Sequence, residues 1–245
     1  MTTVSLAMPS HGQAAHIYDA VSSILLQDFD EPYELVIVFG GAEPAAVDEA
    51  VRAVRDHANT PCRTRIMRTR WNTGPGDAIN RGFETFGKSP FWGWVSSDNV
   101  LAEDCLTWLV DYLRERPGVD AAFSSYYLEE GRIVNGKWQR DRQDIVRQEH
   151  VGLEKSPNCY IGPAHLHRRE LWERVGPHRE YHAHDYDWWL RAEEQGRIEH
   201  VDEILAVLRR HPDRLNVRWQ RDGWHDAERI RQEALRRRGL LCAGS

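Results

Sequence analysis

The sequence predicts an α/β protein whose mostly parallel sheet is flanked by helices. Three observations carry that expectation. Short apolar runs, VSLAM (residues 4–8), ELVIVF (34–39) and FWGWV (91–95), have the length and composition of strands buried on both faces. Stretches with apolar residues at helical spacing lie between them, so strand and helix alternate. Each run stops at Pro, Gly or a Ser/Asp/Asn cluster, the residues of turns.

The elements follow in order. The first strand, 4–8, ends at Pro9, and from 14 to 27 the residues Ile17, Ala20, Val21, Ile24 and Leu25 recur at helical spacing. The second strand, 34–39, is stopped by Gly40 and Gly41, and a helix runs from about Pro44, which suits a first turn, to about His57. Residues 64–68 read as a third strand, 74–86 as a helix and 91–95 as the fourth strand. Ligands of such sheets bind at the carboxyl ends of the strands, so the loops 9–12, 39–42, 71–76 and 96–99 should share one edge.

The second half is less regular. It contains a strand at 121–128, a hairpin or loop at 129–137 marked by Gly131 and Gly136, and a polar segment at 140–154 that suits a lid. Helices follow at 168–175 and 185–195, a late strand at 204–208, and an amphipathic helix at 226–238 that either folds back on the domain or joins a second copy. No internal repeat, low-complexity tract or linker divides the chain.

At 245 residues the chain can bury a substantial core, and 41% hydrophobic with 29% charged residues is an ordinary soluble composition. A net charge of -6 gives no reason to expect nucleic-acid binding, although the tail from Arg209 onward is locally Arg-rich. The start, MTTVSLAMPS, lacks the basic and apolar regions of a signal peptide, and no run approaches the ~18 apolar residues of a membrane span. The expectation is a cytoplasmic protein with no integral membrane segment. Cys62, Cys105, Cys159 and Cys242 are scattered without CxxC spacing and read as reduced thiols. Ten Trp is a high count; Trp92, Trp94, Trp188 and Trp189 serve either core packing or a flat platform for a planar ligand or sugar.

Four stretches could carry chemistry. In GWVSSDNVL, Asp98 is either turn and cap chemistry for a helix beginning near Ala102 or a carboxylate placed for a divalent metal with phosphate ligands. In HAHDYDWWLR, Asp185 stands at a helix mouth, while Asp187 and Arg191 are at i,i+4 and form a natural ion pair. Both acids also suit a helix N-terminus, and His178, His182 and His184 read as loop histidines beside a site. In WNTGPGDAINRGFE, Gly74 and Gly76 let backbone approach a ligand, but the spacing of a phosphate-cradling P-loop is absent. In LRRHPDRLN, His211 follows the last strand.

The order of these pieces resembles the inverting glycosyltransferases of family 2, which have the GT-A fold. VSLAMPSHG, NTGPGDAINRGF, GWVSSDN, YIGPAHLHRRELWERVG, HDYDWWLR and VLRRHPDRLN resemble successive family motifs over about residues 4–216. The resemblance implies a GT-A domain at 1–216, with a nucleotide-binding half at about 1–100 and an acceptor half at 101–216. A helical extension at 217–245 would follow, offering a surface for a homo-oligomer. It implies Asp98 as metal ligand, His211 as a residue that completes the metal shell, and Asp185 as general base. Pro9, Ser10, Gly74, Asp77 and Ser97 would line the nucleotide pocket. The implied donor is a nucleoside-diphosphate sugar with weakly bound Mg²⁺ or Mn²⁺ recruited alongside it. The acceptor would be a small molecule, oligosaccharide or protein.

Two departures stand out. Phe39 to Ala42 hold no carboxylate where the family contacts base and ribose, which leaves recognition to backbone groups and to stacking on Phe39 or a Trp. Ser96 and Ser97 replace further acids of the metal loop. They motivate an alternative, a non-catalytic nucleotide- or sugar-binding protein on the same scaffold. A nucleotidyltransferase is disfavoured, because PSHGQAAH has no basic cluster.

Overall fold

The computed structural model describes residues 1–41, 43–147, 152–157, 159–212 and 220–241, with backbone alone at 220–225. The chain runs β1 (Val4–Ser10), α1 (Ile17–Leu25), β2 (Tyr33–Gly40), α2 (Pro44–Asp56), β3 (Cys62–Thr69), α3 (Pro75–Glu84), β4 (Phe91–Trp94) and β5 (Val100–Leu101). It continues with α4 (Cys105–Glu115), β6 (Ala121–Val134), β7 (Lys137–Val146), β8 (His165–Arg168), α5 (Arg169–Val175), α6 (His184–Gln195), β9 (Ile198–Arg210) and α7 (Gln220–Arg237).

The strands form one mixed sheet in the order β3-β2-β1-β4-β8-β6-β9-β5, with β7 paired to β6. β3, β2, β1 and β4 are all parallel, as their apolar runs and intervening helices predict. Beyond β4 the sheet turns mixed: β8 is antiparallel to both β4 and β6, whereas β9 is parallel to β6. Alternation along β1 divides the core. Val4, Leu6 and Met8 pack with Ile17, Val21 and Ile24 of α1 and Ala46 and Ala50 of α2. Ala7 faces the other side, where Gly82 of α3 rests on it; a Cβ at Gly82 would lie 2.8 Å from the Ala7 Cβ.

Several boundaries differ from expectation. The hairpin has longer arms than 129–137, turning at Asn135 (φ 51°) and Gly136 (φ 75°), the left-handed pair that a two-residue hairpin turn requires. Residues 140–146 of the segment read as a lid are therefore part of strand β7, and its residues 148–151 lie outside the described residues. Its polarity concealed it, because β7 is an exposed strand held partly by ion pairs such as Arg132–Asp141 and Arg140–Glu129. β9 is longer than 204–208, β8 is built largely of buried histidines, and the two-residue β5 precedes α4, which starts at Cys105 and not near Ala102.

Trp92, Trp94, Trp188 and Trp189 are buried with Phe83 and Leu171 in the second core cluster, so their role is packing; no face is left open for a sugar. α7 also packs here. Ala227, Ile230 and Ala234 are buried in that cluster, so this part of the helix folds back on its own domain. Cys62, Cys105 and Cys159 are free thiols, while Cys242 lies outside the described residues. Among the described residues, no helix is long and apolar enough to cross a membrane.

Candidate active site

The carboxyl ends of β1 to β4 open into one cleft. Pro9, Ser10, Gly74, Ser97, Asp98 and Asp185 all line it, so six of the sequence-predicted residues meet in one place. Of the others, Phe39, Asp77 and His211 are placed differently.

Phe39 is fully buried in the core, which rules out a base stacking on its ring; Gly40 takes its place on the cleft wall. The exposed indole near this edge is Trp71, 60% exposed, with the Arg70 guanidinium 4.2 Å above its ring. Ala42 lies outside the described residues. An acid does stand just beyond it: Glu43 accepts the Gly12 N–H at 2.8 Å and lies against His11, whose Nδ1 is 2.9 Å from the Gly40 carbonyl.

Gly74 adopts φ 93°, a left-handed conformation that favours glycine, and its N–H donates to Asn72 Oδ1 at 3.0 Å. Pro75 then opens α3, so the amino end of a helix, suited to phosphate groups, stands at the cleft. Asp77 is turned away along α3, accepting from the Thr73 hydroxyl and from Arg81 Nε at 2.6 Å. The i,i+4 partner Arg81 outcompetes the cleft for this carboxylate.

Asp98 is not a helix cap. Strand β5 follows it, and Asp104 occupies the N-cap position of α4. β5 pairs antiparallel with β9, and Asn99 Oδ1 accepts the Arg209 N–H at 3.3 Å, which brings the end of β9 beneath the loop. His211 is thus carried to Asp98: its Nε2 is 3.3 Å from Asp98 Oδ2, and both residues are buried. His16 stacks on His211 with ring centroids 4.1 Å apart, and burial together with His211 pushes the His16 imidazole down to about 4. The hairpin contributes Trp138, edge-on to both imidazoles, with the Arg209 guanidinium 5.1 Å from its ring. Of the closing stretch, residues 213–216 lie outside the described residues.

Among the described residues, no group of three His, Cys, Asp or Glu side chains gathers as a metal site. The Asp98–His211 pair nevertheless suits a divalent cation that brings ligands with it, since such ions take one or two protein ligands and complete their shell with phosphates and water. The same region retains buried polar atoms with no hydrogen-bond partner among the described residues: Ser10 Oγ, Gln13 Oε1 and His211 Nδ1. Buried polar atoms are ordinarily satisfied by protein partners or ordered water.

On the opposite wall, Asp185 sits half-buried in the first turn of α6, its Oδ1 accepting the Tyr186 N–H at 2.8 Å. Asp187 has a different task. It is 1% exposed and ion-paired to Arg191 at 2.9 Å, and Arg191 donates to the carbonyls of Val175 and Pro177. The loop ahead of α6 is also fastened to α3: Asn80 bonds both the N–H and the carbonyl of His178, each at 2.9 Å. Burial keeps His178 and His184 neutral by lowering both imidazoles. His182 and His184 line the cleft, His182 from the loop ahead of α6 and His184 as the first residue of that helix.

The family model described as "Glycosyl transferase family 2" matches residues 5–176. No curated protein matches the chain. S. aureus TarS 1-349 in complex with UDP superposes with a TM-score of 0.68 at 16% identity, covering 96% of this chain and 65% of that one. The same protein in complex with UDP-GlcNAc gives 0.65 at 18%, covering 86% and 59%. The mannosyltransferase PcManGT from Pyrobaculum calidifontis, in complex with GDP-Man and Mn²⁺, gives 0.64 at 17%, covering 99% and 76%. The chain thus spans less than two thirds of the TarS chain, and these likenesses show a shared fold.

Proposed function

Since the chain belongs to glycosyl transferase family 2, we propose that it is an inverting enzyme moving a sugar from a nucleoside-diphosphate sugar to an acceptor hydroxyl, with Mg²⁺ or Mn²⁺. The observation that carries this reading is the meeting of Asp98 and Asp185, from distant parts of the chain, on one cleft at the carboxyl edge of the sheet. Asp185 takes the proton of the acceptor hydroxyl as the oxygen attacks the anomeric carbon; a positioned base contributes on the order of 10²–10⁴-fold. Attack from the face opposite the leaving diphosphate inverts the anomeric centre in a single displacement.

Asp98 and His211 would hold the cation, which supplies charge neutralisation for the departing diphosphate when bound. Polar groups at Ser10 and Gly40 and the amino end of α3 take the remaining phosphate and nucleotide contacts. UDP- and GDP-linked sugars are the first donors to test, because TarS and PcManGT are recorded with them. The acceptor is a small molecule, oligosaccharide or protein.

A second reading, a non-catalytic nucleotide- or sugar-binding protein, is favoured by one observation: Ser96 and Ser97 stand on the cleft wall where carboxylates would strengthen metal binding. Thermal shift with UDP-GlcNAc and GDP-mannose, each with and without Mn²⁺, followed by product analysis, separates the two. Metal-dependent stabilisation with release of nucleoside diphosphate is expected. Stabilisation without turnover of any donor supports the second reading, and no stabilisation by any of them removes both.

A further inference from the structure

The helix α7 lies beyond the residues matched by the family model, yet it is bonded to His182, a residue that lines the cleft. Asp226 Oδ2 accepts two hydrogen bonds from His182, from its backbone N–H at 3.1 Å and its Nδ1–H at 3.0 Å. The other oxygen, Oδ1, accepts from Arg229 Nη2 at 3.0 Å, and the Arg229 guanidinium stands 4.7 Å from the ring centroid of Tyr181. Two consecutive residues of the rim are thus held by one turn of α7. That turn is itself anchored, because Ala227 and Ile230 are buried in the core beneath it.

His182 is an odd residue to hold so firmly. Its side chain is 43% exposed, and a backbone bond alone would suffice to tie the loop. The second bond fixes the ring: a carboxylate on Nδ1 selects the tautomer and orientation of an imidazole, as second partners of functional histidines do. The ring fixed in this way lines the cleft three residues ahead of Asp185. The base takes the proton of the acceptor hydroxyl as that oxygen attacks the anomeric carbon, so in this reading the sugar of a bound donor lies toward the Asp185 end of the cleft. The nucleotide takes the end bounded by Ser10 and Gly40.

We propose that His182 contacts the transferred sugar and helps to select it, and that Asp226 is the positioning residue that sets the His182 ring. This rests on the nucleotide-sugar reading above. It makes the C-terminal helix a working part of the site in addition to its packing role.

The test is calorimetry in Mn²⁺ with UDP, UDP-GlcNAc, GDP and GDP-mannose on the intact chain. The proteins compared are the unaltered protein, His182→Ala, Asp226→Asn and the double variant. Each single variant should weaken the preferred nucleotide sugar about tenfold, the loss of one hydrogen bond to a sugar hydroxyl, and leave the matching nucleoside diphosphate unchanged. The double variant should be no weaker than His182→Ala, since Asp226 acts through the ring. Equal losses for nucleotide and nucleotide sugar mean a merely structural role and overturn the proposal. So does an unchanged nucleotide sugar, or losses that add in the double variant. If the unaltered protein binds none of the four, the donor reading itself fails and the proposal falls with it. If it binds the nucleotides and the variants behave as controls, only the proposal fails.

Discussion

The buried histidines of β8 make acid stability a sharp test of the fold. His165 and His167 are 5% and 0% exposed, packed against Trp94, Trp188, Trp189 and Phe83. Burial pushes their imidazoles down to about 4 and about 3, from the ordinary 6.5. Below pH 6.5 the unfolded chain binds a proton at each position and the folded chain does not. Stability therefore falls as pH drops from 6.5 toward the folded values, and it is fully present above 6.5. At pH 5 the deficit is about 1.5 pH units for each ring, or roughly 2 kcal/mol apiece and about 4 kcal/mol together. Total stabilities are about 5–15 kcal/mol, so the effect is large. Burial lowers His178 and His184 in the same direction and adds to it. The assay is urea unfolding at pH 7 and pH 5 at constant ionic strength, compared through midpoints at unchanged slope. Equal stabilities at the two pH values would refute the argument that these rings are held neutral in a dry core.

Other perturbations follow from particular contacts. Asp187→Ala strands the buried Arg191 guanidinium and should cost about 3–5 kcal/mol in thermal or urea unfolding. Gly82→Ala places a methyl 2.8 Å from the Ala7 Cβ, and melting curves should show a loss of about 1–3 kcal/mol as α3 is lifted from β1. Asp98→Asn should leave the melting temperature of the free protein within a few degrees and abolish the extra stabilisation that Mn²⁺ adds to nucleotide binding; an unchanged Mn²⁺ effect places the cation elsewhere.

The parts of the fold legible in the sequence are those where one physical signal dominates. β1, β2, α1 and α3 are set by apolar runs and 3.6-residue spacing, and their limits lie within a few residues of expectation. β5, β7 and β8 escaped because their pairing is decided by partners far along the chain. Val100 and Leu101 are a strand only because β9 lies beside them, and β7 is polar along most of its length. The same holds at the cleft. Asp98 and Asp185 are placed by strand and helix ends, which the pattern exposes. Phe39 was misplaced because a strand buried on both faces carries no alternation to say which way a ring points. Asp77 could have been read correctly, since Arg81 stands four residues on. His16 against His211, Trp138 above them and Asp226 behind His182 are contacts across the chain, with no local signal.

The central claim is that Asp185 removes the acceptor proton in a cleft whose other wall binds the donor diphosphate. The most direct measurement compares the rate of sugar transfer by Asp185→Asn and by the unaltered protein. Both would be saturated with the donor found by thermal shift, with donor affinity measured in parallel. The account predicts a rate lower by about 10²–10⁴-fold at nearly unchanged donor affinity. Transfer at the rate of the unaltered protein would contradict it.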